Sequence, residues 1–269
     1  MAAGTCRMNG RMAYPEKAMN TLYLAWRRPD HRSWPVGRLS REGSEYVFTY
    51  TQGARSAEAA GFRPLSSFPD FDQVYVSTQL FPMFRNRLLP RSRPDYEDFV
   101  EWLDLERGEA DPLVMLARSG GQRETDMFEV FPIPEQNAEG RYRPTFFVHG
   151  LRHRGPSAEE EVPRLLPGDA LALEAGPANP HDPPEFRVHT VVRGVDIGLV
   201  PRYLCQDLHA LLSAAGEQAQ ARVQRVNLPP APAQFRVLCS LDSPWPEAFR
   251  PLASPDFEPL HSFVPAGRA

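Results

Sequence analysis

Short apolar segments alternate with turn-forming residues from Thr21 onward, and this alternation restricts the chain to folds built from many short strands. Residues 22–26 are apolar and are broken by Arg28-Pro29-Asp30. Residues 36–39 and 46–50 flank Arg41-Glu42-Gly43-Ser44 at the spacing of a hairpin, and Val74-Tyr75-Val76 predicts a further strand. Helical spacing is local. Pro94-Asp95 opens a helix that carries Tyr96, Phe99, Val100 and Leu103 on one face. A second helix is predicted over 111–118, stopped by Gly120-Gly121, and residues 127–131 read as a closing strand. This first unit is therefore expected to be α+β, with short strands and two helices.

Residues 132–144 are rich in proline and polar side chains and contain Asn137-Ala138-Glu139-Gly140, which marks a boundary. Beyond it, strands are predicted at 145–151, 170–175, 186–192 and 195–200, with Arg193-Gly194 turning between the last two. Pro201 suits the first position of a helix whose apolar face is Tyr203, Leu204, Leu208, Leu211 and Leu212, with Gly216 at its end. Val223 with Val226, then Phe235, Val237 and Cys239, complete six strands around one helix. The expectation is a mainly β unit, a small six-stranded β-barrel of OB or SH3 type. The predicted layout is a disordered leader at 1–18, a domain at 19–134, a linker at 135–144, the barrel at 145–245 and an irregular tail at 246–269. Met19 reads like a natural start, so either Met1 or Met19 could begin the chain.

Composition sets outer limits. A length of 269 residues suits two domains of ordinary size. No run of about 18 apolar residues is present to span a membrane, and no signal peptide is visible. Cys6, Cys205 and Cys239 provide no disulfide framework and fit a reducing cytosol, with Cys205 and Cys239 reading as core residues. The formal charge of −4 does not advertise nucleic acid, and Lys17 is the one lysine among 30 basic residues. A GC-rich genome is the plain explanation for this bias, so arginine abundance is not read as selection for phosphate binding.

Three pieces of the second unit belong together: Phe147-Val148-His149-Gly150-Leu151-Arg152-His153, Asn179-Pro180-His181-Asp182, and Ile197-Gly198-Leu199-Val200-Pro201-Arg202-Tyr203-Leu204. In this order the set resembles a HIRAN domain, a β-barrel module found at the front of fork-remodelling ATPases and in many bacterial proteins without a helicase. The resemblance implies binding of single-stranded DNA, especially a free 3′ end. It makes Arg152 the phosphate clamp and His153 and His181 the stacking faces, where the family commonly has tyrosine. It makes Asp182 the acceptor for a terminal hydroxyl, and Asn179 the residue that fixes the turn or donates to the strand. Arg202 adds charge at a helix start. Pro183-Pro184-Glu185 stands where family members have a pair ending in Asn-Ala, and two prolines stiffen that exit. Residues 146–215 hold six arginines against nine acids, which suits a pocket for a chain end and not a groove that coats long strands.

In the first unit, Val36-Gly37-Arg38-Leu39, Phe62-Arg63-Pro64-Leu65-Ser66 and Asn86-Arg87-Leu88-Leu89-Pro90 resemble the N-terminal subdomain of HipA-type kinases, as do Leu116 to Gly121 followed by Phe131-Pro132. The rest of the chain has no kinase catalytic loop or phosphate-cradling loop, so kinase activity does not carry over. The resemblance implies a docking surface for a protein partner. Arg85, Arg87, Arg91 and Arg93 form the densest basic cluster, either a solvated loop or a secondary contact to phosphodiester or an acidic partner. No cofactor and no metal site is expected: His149, His153, His181 and His189 lack zinc spacing. No nucleophile elbow or P-loop is present, so no catalytic residue is assigned. The expected function is binding of DNA ends in the cytoplasm, in repair or phage defence by family context. The rivals are a protein-interaction adaptor and, less favoured, a metal-dependent hydrolase of phosphorus-containing anhydrides.

Overall fold

The computed structural model describes residues 20–28, 32–106, 111–123, 125–177 and 184–263, so the expected leader at 1–18 lies outside the described residues. Five antiparallel strands form the first sheet: β1 (Thr21–Arg27), β2 (Ser33–Glu42), β3 (Glu45–Tyr50), β4 (Tyr75–Ser77) and β5 (Phe128–Pro132). Their order is β4-β3-β2-β1-β5. The β2–β3 hairpin turns through Gly43, whose φ of +63° a side chain would resist. Alternation along the strands sends Leu22, Leu24, Leu39, Phe48 and Tyr50 into one core with Phe68, Phe84, Leu113 and Val130. There Phe48 stacks on Phe68 with ring centroids 3.9 Å apart.

Four helices pack in this unit where two are expected: α1 (Gln52–Glu58), α2 (Pro82–Arg85), α3 (Tyr96–Trp102) and α4 (Pro112–Ser119). Helix α1 buries only Gly53, Ala54 and Ala57, so no large apolar period announces it. Helix α2 is a single turn. The start of α4 is fixed by Asp111, whose carboxylate accepts from the Leu113 amide at 2.7 Å, and its end by Gly120 at φ +73°.

The second sheet has seven strands rather than six: β6 (Arg141–Tyr142), β7 (Thr145–Phe147), β8 (Ala170–Ala175), β9 (Phe186–Thr190), β10 (Asp196–Leu199), β11 (Gln220–Val226) and β12 (Val237–Pro244). The additional strand, β6, comes from the expected linker. The order is β10-β9-β8-β11-β12-β6, with β7 also on β12, so strand pairing leaves the sheet open rather than closing it into a barrel. One bridge, His149 with Leu199, links the chain after β7 to the opposite edge. A short helix α5 (Pro156–Glu161) joins the expected helix, α6 (Arg202–Ala215). Pro201 stands one residue earlier than expected, as the N-cap. Leu204, Cys205, Leu208 and Leu211 bury one face of α6, and Cys205 and Cys239 are both buried cysteines.

The two sheets share apolar contacts. Phe99, Val100, Leu103 and Met115 pack with Phe147, Phe235 and Leu238, and Phe131 of β5 stacks on Tyr203 of α6 at 4.2 Å and 8°. The chain beyond β12 holds a 3-10 turn, Pro255–Phe257, and docks on both sheets' units. The Leu252 amide donates to buried Asp207 of α6, Phe257 packs edge-on against Tyr23, and the Leu260 amide donates to the Tyr50 carbonyl. Burial raises the Asp207 carboxyl to about 6, although Leu252 and the Tyr142 hydroxyl both donate to it.

Candidate nucleic-acid interface

A cleft of about 730 Å³ opens where the two sheets meet. Its first wall runs from Thr145 to His153. Strand β7 ends at Phe147, and the chain continues extended far enough for His149 and Leu199 to exchange two backbone hydrogen bonds of 2.9 Å. Gly198 allows that approach. A Cβ there would lie 2.4 Å from the His149 carbonyl oxygen, and the residue's φ is +144°. Gly150, at φ +72°, then bends the chain into a 3-10 turn over Leu151–His153, so the strand expected to reach 151 stops short. The turn is tied back by Asp196, which sits 3.3 Å from the Arg154 guanidinium and accepts from the Gly198 amide at 2.9 Å. The first and third sequence pieces are thus joined by backbone contact.

Arg152 and His153 are exposed on this turn and line the cleft. The Arg152 Nε donates to His153 Nε2 at 3.0 Å. Pro201 and Tyr203 contribute to the cleft, but Arg202, half-buried at the start of α6, is not part of its lining. Asn179, His181 and Asp182 lie outside the described residues.

The opposite wall comes from the first sheet: Arg27 at the end of β1, Arg118 near the end of α4, the segment Ser119–Arg123, and Glu129 of β5. Glu129 is buried, 3.5 Å from Arg27 and 3.5 Å from His149, and accepts from Gln122 at 3.0 Å. Burial holds the His149 imidazole below its ordinary value, against the pull of the Glu129 charge. Gly121 and Asp126 are held by Arg87, which donates to the Gly121 carbonyl at 2.8 Å and to both Asp126 oxygens, at 3.1 and 2.6 Å.

The four arginines of the expected basic cluster do not act as one surface. Arg87 is buried as that bracket, and Arg93 pairs with Asp95 at 2.8 Å. Arg85 and Arg91 are exposed beside a separate cavity floored by Leu88, Leu89 and Met115. Sequence reading did not pick out Arg27, Arg118, Arg123, Gln122 or Glu129. The available signal was Ser119-Gly120-Gly121-Gln122-Arg123, which reads as a helix stop until its place in space is known. Among the described residues, no three His, Cys, Asp or Glu side chains gather as a metal site, and no helix is long and apolar enough to cross a membrane.

The family model of the HIRAN domain matches residues 144–242. This stretch begins just before β7 and ends within β12, and it carries a HIRAN domain, which implies nucleic-acid binding in general. Among solved structures, the HIRAN domain of human HLTF is similar at 21% identity, over 39% of this chain and 74% of that one, with a TM-score of 0.27. No curated protein matches the chain.

Proposed function

We propose that this protein binds single-stranded DNA at a free 3′ end, in the cleft beside the Gly150–His153 turn. The observation that carries the reading is the placement of Arg152 and His153 together on the rim of that cleft, within the segment matched by the HIRAN family. An exposed guanidinium suits a phosphate, and the adjoining imidazole offers a flat face for a terminal base, where stacking contributes roughly 1–3 kcal/mol. The HIRAN resemblance assigns the terminal hydroxyl to Asp182, the turn to Asn179, a second stacking face to His181 and additional charge to Arg202. A repair or phage-defence role belongs to this proposal, as does the HipA-like docking surface of the first sheet for a protein partner.

Fluorescence anisotropy with short oligonucleotides ending in a 3′-hydroxyl, a 3′-phosphate or a duplex tests it. Preferred binding of the 3′-hydroxyl strand is expected, weakened about tenfold in Arg152→Ala by loss of one charge-assisted contact. The preference over 3′-phosphate should vanish in Asp182→Ala. Negligible binding of all three probes would instead favour the adaptor reading, which the net charge of −4 supports.

A further inference from the structure

The cleft concentrates positive charge on an acidic chain. Among the described residues, Arg27, Arg118, Arg123 and Arg152 line it, and Arg87 backs it. Among the described residues its lining carboxylates are Asp126 and Glu129. Asp126 is engaged by Arg87, and Glu129 is buried beside Arg27. Four lining guanidinium groups against two lining carboxylates contrast with a whole-chain charge of −4. Within residues 146–215 acids outnumber arginines, so this positive character is supplied mainly by the first sheet and its helices.

We infer that the first sheet's arginines form the second half of a composite DNA site, so that a strand whose 3′ end sits at Arg152 and His153 passes its following phosphates to Arg118 and Arg123. This rests on the end-binding reading above and extends it to the part of the chain that the HIRAN match does not cover. Two features fit a strand-tracking wall. Arg123 is exposed on a segment whose glycine turn is anchored from behind by Arg87, so the guanidinium is presented without being consumed by the anchor. The sheets are locked by the Phe131–Tyr203 stack and by the docked tail, so the two walls keep a fixed spacing and binding need not first bring them together. Binding across both walls should therefore depend on strand length, where a one-wall pocket would not.

The test compares a thymidine dinucleotide with a thymidine oligomer of roughly twelve nucleotides, both with 3′-hydroxyl ends, in wild type, Arg123→Ala, Arg118→Ala/Arg123→Ala and Arg123→Lys. Wild type should hold the longer strand more tightly. The double variant should lose about tenfold or more on that strand while the dinucleotide and the preference over 3′-phosphate stay unchanged. The slope of log affinity against log salt should flatten by about 0.7 for each arginine removed, and Arg123→Lys should keep its slope. Unchanged affinity and slope for the longer strand in the double variant would overturn the composite site. Tighter binding of an equivalent RNA strand would overturn its assignment to DNA. Failure of the end-binding reading looks different: wild type itself would then show no preference for the 3′-hydroxyl.

Discussion

The two walls of the cleft are held by different forces. On the HIRAN side, the Gly150–His153 turn is positioned by main chain: the paired hydrogen bonds of His149 with Leu199, made possible by Gly198. On the opposite side, Gly121 and Asp126 are positioned by a buried side chain, Arg87, which is 1% exposed and donates to both. Main-chain pairing is indifferent to salt and depends on side-chain identity only where a Cβ would intrude. A buried guanidinium is the reverse, because its cost without a partner is large and falls on one carboxylate. The HIRAN wall should therefore fail through steric changes and the other wall through charge changes.

The largest effect is expected where a buried charge loses its counterpart. Asp126→Asn leaves Arg87 enclosed with the Gly121 carbonyl, the Met83 sulfur, the Phe128 ring and a weak amide acceptor but no counter-charge, costing about 3 kcal/mol, the lower end for breaking buried pairs because Asp126 is 26% exposed. Thermal melts should show the loss, and hydrogen exchange should place the loosening at 119–126 while leaving β7 and β10 protected. An unchanged melting temperature would remove the basis for calling that wall charge-held. Next in size is Gly198→Ala. A methyl group 2.4 Å from the His149 carbonyl forces the bridge apart, at a cost of about 2–3 kcal/mol from overpacking and the unfavourable φ. Here the protection lost should be at His149 and Leu199, and binding of a 3′-hydroxyl end should weaken with it. Equal loosening of both walls in either variant would erase the distinction between them.

Much of this organisation is legible in the sequence because it is local. The β2–β3 hairpin, the Asp111 cap and glycine stop of α4, and the apolar face of α6 each follow from spacing within a few residues. Helix α1 is not legible because its buried face is glycine and alanine, selected by close approach to Pro35 and the tail rather than by large apolar side chains. The docked tail is equally hidden, since its anchors are backbone amides donating to Asp207 and Tyr50 from far along the chain. The same logic governs the charges. Arg85, Arg87, Arg91 and Arg93 are neighbours in sequence and separate in space, whereas Arg27, Arg118, Arg123 and Arg152 come from distant segments and share one cleft. Convergence of that kind is a property of topology, which periodicity does not encode.

The smallest expected effect lies where the walls touch, at His149. Its imidazole faces Glu129, Arg27 and Gln122, and burial holds it below the ordinary value of 6.5. The unfolded chain binds more protons than the native one below 6.5, so His149 makes stability fall on acidification through that range, by at most about 1.4 kcal/mol per pH unit, and makes no difference above it. Asp207 acts with the opposite sign. Its carboxyl titrates at about 6 in the fold against 3.8 unfolded, so its contribution is greatest in acid and is lost as pH rises through that window. The two trends oppose each other in the wild type where they overlap below about 6. His149→Gln keeps a polar group beside Glu129 but removes one of them, and the variant's stability, followed by urea titration across that window, should decline as pH rises. A variant profile parallel to wild type would show that folding leaves the proton affinity of His149 unchanged, contrary to the effect of its burial.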